Sequence, residues 1–157
     1  MKQALAFVLM LAGCAAAPLP EVSIGLRNPT APIGGTSRFD AARFAGDWHV
    51  LRCLGACAAR LRYDLGTNGQ LQQQAGAEQT LFTVTAPGVL RSAAPEQTLV
   101  VMWIDEGFRT AAIGDANGRW AAILDRSAKS SSDRIKAATE ILDFNGWDIS
   151  QLRKVNK

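Results

Sequence analysis

Among its 157 residues the chain holds one histidine, one tyrosine and three cysteines. A single histidine, His49, excludes a histidine-based metal cluster and leaves a Ser-His-Asp site only one candidate base. Charge imbalance is small as well: 17 Lys plus Arg stand against 14 Asp plus Glu, a net +3. The basic residues fall singly, at Arg27, Arg43, Arg60, Arg91 and Arg119, so no basic stripe marks a nucleic-acid partner. Long hydrophobic runs are also missing. The apolar stretch at residues 4–12 (ALAFVLMLA) is about half of what a bilayer-spanning helix needs. With 48% hydrophobic and 20% charged residues, the composition excludes wholesale disorder, and the length amounts to one domain.

That apolar stretch follows Lys2 and reads as a signal peptide, residues 1–13. It ends in Leu11-Ala12-Gly13-Cys14, which resembles the lipobox of bacterial lipoproteins. The resemblance implies cleavage before Cys14 and acylation of its thiol and new amino group. The small residues at 12 and 13 suit a narrow protease groove, and a generic secretory signal with a chance cysteine is the alternative. Ala15 follows, where an Asp would resemble an inner-membrane retention signal. The expected location is therefore the bacterial outer membrane, lipid-anchored, with the domain facing the periplasm.

Lipidation of Cys14 leaves Cys53 and Cys57 in an oxidising compartment, an even remainder that points to a disulfide clip. Two free thiols are the alternative. The spacing is not that of a redox motif, and no metal or cofactor is expected. Residues 15–38 carry four of the six prolines and three glycines without any apolar period, so residues 14–38 read as a lipidated N-terminus and flexible tether. The folded domain is expected over residues 39–157.

Eight strand-like runs follow, at 44–53, 60–65, 70–75, 80–85, 89–92, 98–105, 109–114 and 119–125, separated by turn chemistry such as Gly66-Thr67-Asn68-Gly69 and Asp115-Ala116-Asn117-Gly118. Such a series predicts an all-β antiparallel sandwich or up-and-down barrel. The tail changes period. Ser130-Ser131-Ser132-Asp133 offers a helix start, Ile135, Ala138, Ile141 and Leu142 share one face, and Asn145-Gly146 stops the helix. That apolar stripe must pack on the outside of the sheet, and residues 149–155 can close an edge.

The order resembles the lipocalin family. Phe44, Gly46 and Trp48 match its opening motif, Ile123-Leu124-Asp125-Arg126 its third motif, and Asn145-Gly146-Trp147-Asp148-Ile149-Ser150 the segment after the helix in bacterial lipocalins. The second motif is only echoed, by Asp105 between Ile104 and Glu106, and the first loop is cut to residues 54–59. The resemblance implies an eight-stranded barrel with one C-terminal helix outside and Arg126 stacked over Trp48 at the barrel floor.

With Trp48 inward, alternation places Val50 and Arg52 inside, with His49 and Leu51 outside. Counting back from Arg126 places Leu124, Ala122 and Trp120 inside. The family's pairing adds Leu61, Tyr63, Gln73, Leu99, Val101, Trp103, Thr110 and Ala112 to the lining. These walls suit a hydrophobic small molecule or lipid, and Arg52 is the candidate partner for a carboxylate or phosphate head. Its alternative is a snorkelling surface arginine. The expected function is a membrane-anchored, non-enzymatic carrier of a fatty acid, lysophospholipid or similar amphiphile. A filled barrel that only displays loops is the competing reading, and a catalytic His49 is a remote one.

Overall fold

The computed structural model describes residues 25–155. The signal peptide, Cys14 and the first half of the tether lie outside them. A single turn, α1 (Ala41–Phe44), leads into β1 (Gly46–Leu54), followed by β2 (Arg60–Leu65), β3 (Leu71–Ala75), β4 (Glu78–Ala86), β5 (Val89–Ala93), β6 (Glu96–Ile104), β7 (Thr110–Asp115) and β8 (Ala121–Asp125). Each strand pairs antiparallel with the next, and β1 pairs with both β2 and β8, so the sheet closes into an up-and-down barrel. Closure removes the unpaired edges that an open sheet would present.

Helix α2 (Ser132–Phe144) starts at Ser131, whose hydroxyl accepts from the Arg134 amide. It buries Ala138 and Leu142 on the outer faces of β6, β7 and β8, together with Met102, Ile123 and Trp147. Among the described residues no helix is long and apolar enough to cross a membrane. After a short 3-10 turn (Ile149–Gln151), β9 (Arg153–Lys154) adds to β1 beyond Arg60, the first residue of β2.

The tether boundary needs correction. Residues 25–38 are laid on the barrel wall rather than held away from it. The Asn28 amide donates to Gly146 O at 2.7 Å and the Thr36 amide to Val101 O at 2.8 Å, while the Asp148 amide donates to Leu26 O at 3.0 Å. Leu26 and Ile33 pack against the helix–barrel layer, and the nearly buried Arg27 donates to Asn145 O. Prolines and glycines abolish any period here, yet an aperiodic strap can still satisfy its backbone one hydrogen bond at a time.

Two β-bulges decide which side chains face the interior. In β1, Val50 pairs with Leu124 but Arg52 with Ile123, so Leu51 is an extra residue. In β6, Val101 pairs with Ile113 but Trp103 with Ala112, so Met102 is extra. An added residue inverts alternation for everything beyond it.

Candidate functional site

The closed end of the barrel is built around Trp48, which is 1% exposed. Its indole N–H donates to Phe44 O at 2.9 Å, and its ring lies 5.2 Å from that of Phe44. The Arg126 guanidinium stacks over the indole at 3.7 Å. The same group donates to Asp47 O, Arg43 O, Phe44 O and Ala45 O, at 2.8–3.0 Å. The planar fork thus caps the end of α1 at Arg43 O and Phe44 O and reaches Ala45 O and Asp47 O beside it, with Nη2 shared among three of the carbonyls. Gly46 sits at φ +102°, where a side chain would approach Arg126 Nη1 within 3.2 Å. Asp105 accepts from the Arg109 and Thr110 amides and from Arg109 Nε, which ties the β6–β7 turn at the same end. These four motif residues close the floor. Tyr63, Leu71, Phe82, Leu90, Leu99, Val101, Ile104, Ile113 and Leu124 are buried together in the space above it.

The opposite end is open. A cavity of about 310 Å³ is lined by Val50, Leu61, Gln73, Trp120 and Ala122 from the walls. That volume is at the low end for small-molecule sites, about 300–1,000 Å³. Ala56, Cys57 and Ala58 of the β1–β2 loop cover one side, and Pro95 and Gln97 stand at the rim. Cys53 and Cys57 are disulfide-bonded, with Cα atoms 6.1 Å apart, so the clip expected from cysteine count holds this loop against the mouth. Gln73 donates from Nε2 to the Tyr63 hydroxyl at 2.6 Å. Burial pushes the Tyr63 phenol well above its ordinary pKa, an effect that this hydrogen bond only partly offsets. It therefore stays protonated at any physiological pH. Among the described lining residues Glu78 is the one charged group.

The sequence-predicted lining residues divide into three sets. Val50, Leu61, Gln73, Trp120 and Ala122 line the cavity as expected. Tyr63, Leu99, Val101 and Leu124 point inward but belong to the packed cluster above the floor. Arg52, Trp103, Ala112 and Thr110 do not line it. The bulge after Val50 turns Arg52 outward and brings Cys53 in, and the bulge after Val101 turns Trp103 outward and brings Ile104 in. Ala112 pairs with Trp103 and so faces outward into the layer under α2. Thr110 lies outside too. Its hydroxyl donates to Asp125 at 2.6 Å and accepts from Arg134 Nε at 2.7 Å, fastening α2 to the barrel. The anion partner expected inside the calyx is therefore absent from it. Thr80, Glu78 and Gln97 went unforeseen. The register Gln73↔Thr80 was readable for the first once the β3–β4 hairpin was drawn.

A scan against protein-family models found no match, and a search of curated proteins found none either.

Proposed function

We propose that this chain is a lipocalin-like carrier that holds one small, largely apolar and uncharged molecule in the open half of its barrel. The observation that carries the reading is a cavity of about 310 Å³ above a filled floor, without a cation in its walls. Apolar walls contribute roughly 0.8 kcal/mol per buried methylene whatever the head group. Gln73, 6% exposed and within bonding distance of Tyr63, is the polar group best placed to meet a hydroxyl or carbonyl of the ligand. A carboxylate would find Glu78 at the mouth instead of an arginine, so fatty acids are disfavoured relative to alcohols of equal length.

Titration with dodecanol and dodecanoic acid, followed by Trp120 emission, tests this. Dodecanol should bind at least as tightly as the acid at pH 7, and Ala122→Phe, which fills the cavity, should abolish both. No binding of either by the wild-type protein would favour the filled-barrel interaction module.

The lipobox-like Leu11-Ala12-Gly13-Cys14 supports a lipid-anchored location in the outer membrane with the barrel in the periplasm. One acyl chain anchors only marginally, whereas several are effectively permanent. Cys14→Ser should leave the barrel folded and release it from carbonate-washed membranes. Retention there would refute the lipoprotein reading.

A further inference from the structure

The arginine expected inside the calyx helps to build a second site on the outer wall. Beyond Arg60, the first residue of β2, β9 takes over the free edge of β1, with the Val155 amide donating to Leu51 O. This handover leaves a groove of about 810 Å³ between β1, the start of β2, the loop before α2 and the C-terminal strand. Arg52, Arg60, Lys129 and Lys154 line it, and among the described residues no carboxylate does. Leu51, Ile135 and Val155 supply apolar surface between them.

The arrangement is costly in isolation. Arg52 and Lys154 are direct cross-strand partners. Like charges set directly opposite on a sheet destabilise it. Among the described residues none of the four cations takes part in an ion pair. The neighbouring acids are already committed: Asp47 and Asp64 both hold Arg62, and Asp125 holds Arg134 and Thr110. Repelling cations gathered around an apolar floor break the local rules of stability, and such violations concentrate at functional sites.

We infer that this groove binds a single-chain anionic amphiphile. Its phosphate or carboxylate head would be held by Arg52, Lys154, Arg60 and Lys129, and its chain would lie along Leu51, Ile135 and Val155. The site shares only Val50 with the calyx lining, and its ligand is of opposite preference: the groove takes the anion that the calyx disfavours. Arginine forks and lysine point charges together suit a head group with several acceptor oxygens.

Calorimetric titration with dodecyl phosphate, dodecanol and inorganic phosphate tests the assignment in three proteins: wild type, the Arg52→Gln/Lys154→Gln double variant, and Ala122→Phe. Both substituted positions of the double variant lie on the outer wall, and circular dichroism is the check that it folds. Dodecyl phosphate should bind the wild type and weaken at least tenfold in the double variant. It should weaken further as salt is raised through the range where the Debye length falls below about 10 Å. Ala122→Phe should bind it unchanged, which separates this site from the calyx. Undiminished affinity in the double variant, or loss in Ala122→Phe, would overturn the inference. Equal affinity for inorganic phosphate would overturn the amphiphile assignment, because the apolar floor would then contribute nothing.

Discussion

Removal of the Arg126 side chain should open the barrel floor, and the size of the effect can be worked from its contacts. In Arg126→Ala the partly buried carbonyls of Phe44 and Ala45 lose a charged donor, at 3.0 and 2.9 Å. Each such bond is worth about 1.5–3 kcal/mol. The cation stacked 3.7 Å above Trp48 adds about 1–2 kcal/mol in a partly desolvated setting. The bonds to Arg43 O and Asp47 O are exposed and add little. Against these stands about 2 kcal/mol of rotamer entropy, which the alanine variant no longer loses on folding. The net expectation is a loss of about 4 kcal/mol, within a range of about 2–6, or roughly 15 °C in Tm for a domain of this size. Urea unfolding at pH 7 measures it through the midpoint, with the slope unchanged. Arg126→Lys keeps the charge but cannot span four carbonyls and an indole face, so it should recover less than half of the loss. A lysine variant as stable as wild type would refute the planar-fork argument, and an alanine variant within about 0.5 kcal/mol of wild type would refute the floor itself.

Trp48→Ala should cost about 3–5 kcal/mol, as deletion of a buried aromatic does, while His49→Ala, its half-buried neighbour, should cost under about 0.5 kcal/mol; equal midpoint shifts would contradict the inward placement of Trp48. Burial alone would raise the Asp125 carboxyl, but hydrogen bonds from Ser130, Thr110, the Ser127 amide and Arg134 outweigh it and hold the pKa below the ordinary value. The folded pKa is the lower one, so this stabilisation is present above the unfolded value, about 3.9, and is lost as pH falls through the folded one. Asp125→Asn should therefore lower stability at pH 7 and flatten the acid limb of the urea midpoint measured from pH 7 to pH 2. Reduction of Cys53–Cys57 releases a loop of only a few residues, so it should cost about 2 kcal/mol. It should also raise hydrogen exchange at Ala56–Ala58 above that of the barrel strands, and unchanged exchange would mean that the loop is held by other contacts.

Strand number, strand order, the outer helix and the disulfide were all legible in the chain, because each rests on local chemistry. Turn residues separate alternating runs whether or not the barrel is known, and Ser131 caps α2 through atoms three residues away. The Trp48–Arg126 pair, Leu61 and Gln73 were legible through the family resemblance, and Val50, Trp120 and Ala122 through strict alternation from that pair. Alternation carries no warning of an extra residue, however. Leu51 and Met102 look like ordinary strand positions, and only pairing with β8 and β7 reveals that each is left over in its ladder. That is why Arg52 and Trp103 were assigned to the wrong side of the wall. The strap at residues 25–38 escaped for a related reason: its partners are carbonyls and amides more than a hundred residues away, or on strands not yet folded when the sequence is read. Local chemistry determined which elements exist. Long-range pairing decided which face each side chain occupies, and with it whether a cation stands in the calyx or on the outer wall.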